Sequence, residues 1–138
     1  MIIETYNEDE TFNIGSMTGQ ETNKGDIFCL KGDLGVGKTI FSKGFAHGLK
    51  IEDEITSPTY TIVNIYEGIK KLYHFDVYRI NDIEEMENIG YEEIFFGNGV
   101  CLIEWAEKIL DILPENIFWV KIEKDLSKGE NYRKITIE

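Results

Sequence analysis

The sequence is poor in several things, and each shortage excludes a class of protein. It holds two cysteines, Cys29 and Cys101, far apart and without a C-x-x-C pair. A disulfide framework and a vicinal dithiol are therefore excluded. Each cysteine sits in an apolar strand pattern and reads as a buried structural thiol of a reduced compartment. No apolar run approaches the ~20 residues that a membrane-crossing helix needs. The first residues, Met1-Ile-Ile-Glu-Thr-Tyr6, lack a basic region followed by an apolar stretch, so no signal peptide is expected. Basic residues are scarce: 14 Lys and Arg stand against 26 Asp and Glu, for a net charge of −12. A surface this acidic repels phosphate backbones, which disfavours tight, direct nucleic-acid binding. It serves equally for solubility or for docking on a basic protein partner. There are no repeats and no low-complexity segments.

What is present suffices for one core. The 138 residues, 42% hydrophobic, fit a single domain spanning residues 1–138. Asn7-Glu-Asp-Glu10 reads as a capping box that opens a helix, with Phe12 and Met17 on its buried side. Asp26–Lys31 reads as a buried strand and Thr39–Leu49 as a helix. Thr61–Tyr66 and Leu72–Tyr78 are rich in β-formers and flank Glu67-Gly-Ile-Lys-Lys71, a hairpin pattern. Asn81-Asp-Ile-Glu84 offers a second capping box ahead of short helical turns that run to Phe96. Val100–Ile103 suits a central strand. A helix is expected over Ala106–Leu113, ending before Pro114. Ile117–Glu123 and Tyr132–Ile137 read as strands around the turn Ser127–Asn131. The class is α/β without regular alternation: a compact domain whose sheet mixes parallel and antiparallel strands, flanked by helices.

Between the strand at Asp26–Lys31 and the helix at Thr39–Leu49 lies Gly32-Asp-Leu-Gly-Val-Gly37-Lys38-Thr39. This G-x-x-x-x-G-K-T pattern is a Walker A motif in the strand–loop–helix setting that it requires. Its backbone N–H groups cradle phosphates, Lys38 reaches the β- and γ-phosphates, and the Thr39 hydroxyl sits on Mg²⁺. Glycine allows positive φ and close approach to an anion, and the helix N-terminus adds partial positive charge. The fold class is thus a P-loop NTPase-like domain, with most elaborations of larger P-loop enzymes missing.

Three further segments carry polar groups. Thr56-Ser57-Pro-Thr59-Tyr-Thr61 lies where many nucleotide hydrolases place a switch loop, though by itself it reads as an ordinary turn into a strand. In His74-Phe-Asp76-Val-Tyr78-Arg79, strand alternation sends His74, Asp76 and Tyr78 to one face and Phe75 and Val77 to the other. Asp76 is a candidate to position Mg²⁺ or the attacking water, and Arg79 to pair with a carboxylate or phosphate. The same pattern fits a hairpin strand with an outward polar face. Val100-Cys-Leu-Ile-Glu104 resembles a Walker B strand that ends in Glu rather than Asp, its carboxylate beside the P-loop. Trp105 follows, either against the switch region or as a core aromatic. His47, on the Walker helix, is expected at the surface or in helix packing. Arg133 and Lys134 are expected in exposed alternation on the last strand.

Taken together, the Walker A motif, Ser57-Pro-Thr-Tyr-Thr61, His74-Phe-Asp-Val-Tyr-Arg79 and Ile103-Glu-Trp105 resemble one family over nearly the whole chain. It is the TsaE (YjeE) family of small P-loop ATPases required to form threonylcarbamoyladenosine in tRNA. The resemblance implies binding of ATP and Mg²⁺ and slow hydrolysis by the isolated protein. It also implies a cytoplasmic partner complex containing TsaD and TsaB, with tRNA engaged only through that complex. It places the nucleotide on Asp33, Leu34, Gly35, Val36, Gly37, Lys38, Thr39 and Ile40, with Trp105 alongside. Ser57 and Thr59 belong to a switch loop. Lys38, Asp76 and Glu104 serve catalysis, and Thr39, Asp76 and Glu104 surround the metal. Which of the two carboxylates serves the metal and which the water stays open. Two other classes fit the same loop: a nucleotide-dependent binding module that does not need hydrolysis, and, more weakly, a small-molecule kinase. Against the kinase, there is no separate lid segment, and Arg79 and Arg133 are the only arginines. The sequence does not set the oligomeric state; a monomer is expected.

Overall fold

A computed structural model describes residues 1–32, 36–56, 58 and 61–138. Seven strands form one sheet: β1 (Ile2–Thr5), β2 (Ile27–Lys31), β3 (Val63–Tyr66), β4 (Leu72–Asp76), β5 (Val100–Glu104), β6 (Phe118–Lys124) and β7 (Arg133–Ile137). Their order is β1-β7-β6-β2-β5-β4-β3. The four central strands, β6, β2, β5 and β4, run parallel, and β3, β7 and β1 add antiparallel edges. The expected α/β class and mixed sheet are thus observed.

Alternation on β2 divides the core. Phe28 and Leu30 meet Leu102, Val120 and the helix residues Phe41 and Phe45 on one side. Ile27 and Cys29 meet Phe75, Cys101, Ile103 and Met86 on the other. A strand covered on both faces is apolar at every buried position, which is why β2 and β5 read as continuous apolar runs. Both cysteines are free and buried, and burial pushes each thiol up to about 12, far from thiolate chemistry at neutral pH.

Helix α1 (Glu8–Gln20) starts as the sequence predicts, with the Glu10 N–H donating to Asn7 Oδ1 at 2.8 Å and Glu10 Oε1 accepting from the Tyr6 N–H. Its buried side differs from expectation. Met17 is exposed and Phe12 only half-buried, while Thr11, Gly15, Ser16 and Gly19 face inward. The cause is the contact with α2 (Lys38–Gly48). A Cβ on Gly15, Gly19, Gly44 or Gly48 would lie 2.1–2.3 Å from a carbonyl oxygen of the opposite helix. The backbones approach so closely that only glycine fits, leaving no room between them for large side chains.

Other differences are local. Strand β1 was not anticipated. It pairs antiparallel with β7, so its stability comes from a partner at the far end of the chain. The capping box before α3 (Glu84–Asn88) is shifted by one residue: Asp82 Oδ1 accepts from the Glu84 N–H, and Glu85 Oε2 accepts from the N–H groups of Asn81 and Asp82. Helix α4 (Tyr91–Phe95) follows. The expected helix at Ala106–Leu113 is a 3-10 segment over Ala106–Ile112 with non-helical angles at Ile109, and Leu113 is already extended ahead of Pro114. Among the described residues, no helix is long and apolar enough to cross a membrane.

Candidate functional site

Because β2, β5 and β4 are parallel neighbours, their carboxyl ends meet at one edge of the sheet. Register pairs Leu30 with Glu104 and Glu104 with Asp76. The loop between β2 and α2 leaves this same edge, the usual ligand position in open parallel sheets.

The described ends of the loop fit an anion cradle. Gly32 has φ +148° and Gly37 φ +100°. A Cβ at Gly32 would lie 2.6 Å from the Ile122 carbonyl oxygen of β6, so the chain can turn there only with glycine. Gly37 caps α2 without a side-chain hydrogen bond, which leaves the first N–H groups of that helix for an anion. Asp33, Leu34 and Gly35, expected to bind nucleotide, lie outside the described residues, as do Ser57 and Thr59 of the expected switch loop. Val36 is buried, Thr39 exposed and Ile40 half-buried on the first turn of α2.

Lys38 is 7% exposed, rare for a lysine. Its side chain folds back across the loop. Nζ donates to the Gly32 carbonyl at 2.9 Å and stands 4.1 Å from the centroid of the Trp105 ring. A cation over an aromatic face is attracted by the ring quadrupole. Trp105 itself has φ +64°, uncommon for a large residue and costing about 1–3 kcal/mol, strain that concentrates at ligand sites. It is half-buried rather than part of the core, and its ring lies 4.8 Å from that of Tyr78. An open cleft of about 690 Å³ runs between the loop and β6, lined by Gly32, Val36, Trp105 and Ile122 among others.

The acidic pair has an unforeseen third member. Glu104 is 6% exposed and His74 2% exposed, and His74 Nε2 donates to Glu104 Oε2 at 2.8 Å. His74 Nδ1 has no partner among the described residues. The outward polar face considered for this strand is therefore an inward one at His74. Asp76 is half-buried and accepts from the Tyr78 N–H at 3.0 Å. Burial raises its carboxyl above the ordinary range; Glu104 adds to the rise, while that hydrogen bond, His74 and Lys38 oppose it. Strand β4 ends at Asp76, and Tyr78 stands exposed just beyond it, so strand alternation does not extend to Tyr78. Arg79 is exposed and joins no ion pair among the described residues. His47 is exposed and lies against α1 at the surface, as expected, its Nδ1 3.2 Å from Ser16 Oγ and its ring 5.4 Å from Phe12.

The family described as "Threonylcarbamoyl adenosine biosynthesis protein TsaE" matches over residues 5–135. The chain belongs to the TsaE family. A tRNA threonylcarbamoyladenosine biosynthesis protein TsaE of Bacillus subtilis is 45% identical, the match covering 96% of this chain and 81% of that one. A protein of the same name from Treponema pallidum is 41% identical over 93% of both chains. The crystal structure of Bacillus subtilis YdiB superposes with a TM-score of 0.81 at 40% identity, covering 99% of this chain and 83% of that one.

Arg133 does not stand in the exposed alternation expected of it. It is half-buried, and its Nε donates to the Val36 carbonyl of the loop at 2.7 Å. Its position at the start of β7, two strands from β2, hides this contact from any local pattern. His74 was easier to find, since alternation put it on the face of Asp76; its bond to Glu104 needed the parallel pairing of β4 with β5.

Proposed function

We propose that this chain binds and slowly hydrolyses Mg²⁺-ATP in the cytoplasm, as an accessory of the machinery that forms threonylcarbamoyladenosine in tRNA, together with the TsaD–TsaB complex. The observation that carries the reading is Lys38, a buried ammonium held on the Gly32 carbonyl at the mouth of a glycine-turned loop. Such a group needs an anion more than it needs a carbonyl. Phosphate would draw it off Gly32 and gain charge-assisted hydrogen bonds. The N-terminus of α2 points the same way.

Thr39 and Asp76 would hold Mg²⁺. Among the described residues, no group of three or more His, Cys, Asp or Glu side chains could hold a metal by itself, so the ion would arrive with the nucleotide. Bound there, it would screen the phosphate charge and make the acidic neighbours tolerable. Glu104, fixed by His74, would orient water rather than ligate the metal. Trp105 would flank the nucleotide. Among the described residues, Lys38 is the buried lysine at this loop; a single such cation to stabilise a transferring phosphoryl group would make turnover slow alone and open to stimulation in trans by a partner.

The commitment of Glu104 to His74 also favours a second reading, a nucleotide-dependent switch in which binding suffices. Steady-state ATPase rates of the protein alone, and with TsaD, TsaB and tRNA, separate the two. Stimulation on assembly, with Glu104→Gln abolishing both hydrolysis and tRNA modification, supports the ATPase. Modification that persists without hydrolysis supports the switch.

A further inference from the structure

We infer that Arg133 is a positioning residue for the phosphate-binding loop, setting the Val36–Gly37 peptide from the far end of the chain. The inference rests on the reading that this loop takes nucleotide phosphate. Three backbone carbonyls fix the guanidinium: Nε donates to Val36 at 2.7 Å, and Nη1 donates to Glu130 at 2.9 Å and to Tyr132 at 2.7 Å. Two of the three lie in the turn and strand start that carry Arg133 itself, so the fork is anchored on its own element before it reaches the loop. The geometry is a rigid clamp, because guanidinium donors keep a fixed planar arrangement that an ammonium lacks.

The consequence for the loop follows from peptide planarity. In a trans peptide the C=O and the next N–H point in opposite directions, and no cis peptide occurs here. Holding the Val36 carbonyl toward Arg133 aims the Gly37 N–H away from it. Gly37 takes φ +100°, a conformation that glycine alone adopts readily, and it stands directly before Lys38. A flipped peptide here would turn a carbonyl, not an N–H, toward the anion. Arg133 does not touch the phosphates in this scheme; it stabilises the orientation of a group that does.

The test uses full-length protein carrying Arg133→Ala and Arg133→Lys, with thermal melts to confirm folding. Calorimetric titration with Mg²⁺-ATP and with ADP should show affinity weakened about ten- to hundredfold in Arg133→Ala, the range of a charge-assisted hydrogen bond. Arg133→Lys, which keeps the charge and loses the fork, should recover less than half of that on a logarithmic scale. Should the alanine variant not fold, the lysine variant decides, with at least a fivefold weakening expected. A folded variant that lowers the melting temperature yet binds within twofold of wild type makes Arg133 merely structural and overturns the inference. A second readout needs no ligand. The Gly37 amide should change chemical shift in the variants; an unchanged amide overturns the inference even if the wild type binds no nucleotide. Failure of wild-type ATP binding with an altered Gly37 amide would instead count against the nucleotide reading alone.

Discussion

Replacing His74 by alanine tests the least expected part of the site without any ligand. His74 and Glu104 are 2% and 6% exposed and joined at 2.8 Å. Removing one member of a buried pair costs about 3–5 kcal/mol, because the other is left without its partner. The unpartnered Nδ1 works against this estimate. It is a desolvated polar atom whose removal returns about 1–3 kcal/mol. The balance is a loss of about 2 kcal/mol, which for a chain of this size lowers the melting temperature by roughly 8 °C. The cycle His74→Ala, Glu104→Ala and the double variant, followed by urea denaturation at neutral pH, isolates the pair. The double variant should be more stable than the sum of the singles predicts, by about 1–3 kcal/mol. A His74→Ala loss below about 0.5 kcal/mol, or singles that add to within that margin, would refute the view that the histidine holds the carboxylate in place.

Three further outcomes follow from other contacts. Gly44→Ala places a methyl 2.1 Å from the Phe12 carbonyl; despite the roughly 1 kcal/mol that alanine gains in a helix, it should lower the unfolding free energy from urea denaturation by a net of about 1–3 kcal/mol or more, and an unchanged urea midpoint would contradict the close crossing. Asp76 has its carboxyl raised in the folded state, so its ionisation works against the fold: its contribution is favourable below the ordinary carboxylate range and is lost as pH rises through the raised value. Asp76→Asn should therefore raise the melting temperature of the ligand-free protein at pH 7 while leaving it little changed at pH 3, whereas equal shifts at both pH values would rule out titration as the cause. With a net charge of −12, the isolated chain should not shift tRNA in a gel at physiological salt, and sub-micromolar binding would overturn the view that tRNA is reached through a partner.

How much of this was legible in the sequence depended on the range of the interactions involved. The strand–loop–helix unit around Gly32–Thr39, the hairpin of β3 with β4 and the apolar strand β5 rest on local periodicity and turn chemistry, and they stand where the pattern puts them. Strand β1 does not, because Ile2–Thr5 becomes a strand only by pairing with Arg133–Thr136. The inward face of α1 was misread because its packing uses the absence of side chains: Gly15 and Gly19 carry no hydrophobic signal, yet they admit the backbone of α2. Within the site, Lys38 and Glu104 follow from motif spacing, and Trp105 from its place after β5. The His74–Glu104 bond needed a strand pairing across 30 residues, and the Arg133–Val36 bond a contact across 97. Long-range polar contacts of this kind leave no periodic trace, so only the folded structure reveals them.

The central claim is that the loop around Lys38 is a nucleotide-phosphate site, and calorimetric titration of Mg²⁺-ATP into wild-type and Lys38→Ala protein tests it most directly. The lysine contributes a charge-assisted contact worth about 1.5–3 kcal/mol, so the account predicts saturable wild-type binding that weakens by at least tenfold in the variant, with hydrolysis abolished. Equal affinity and equal turnover in the two proteins would contradict it.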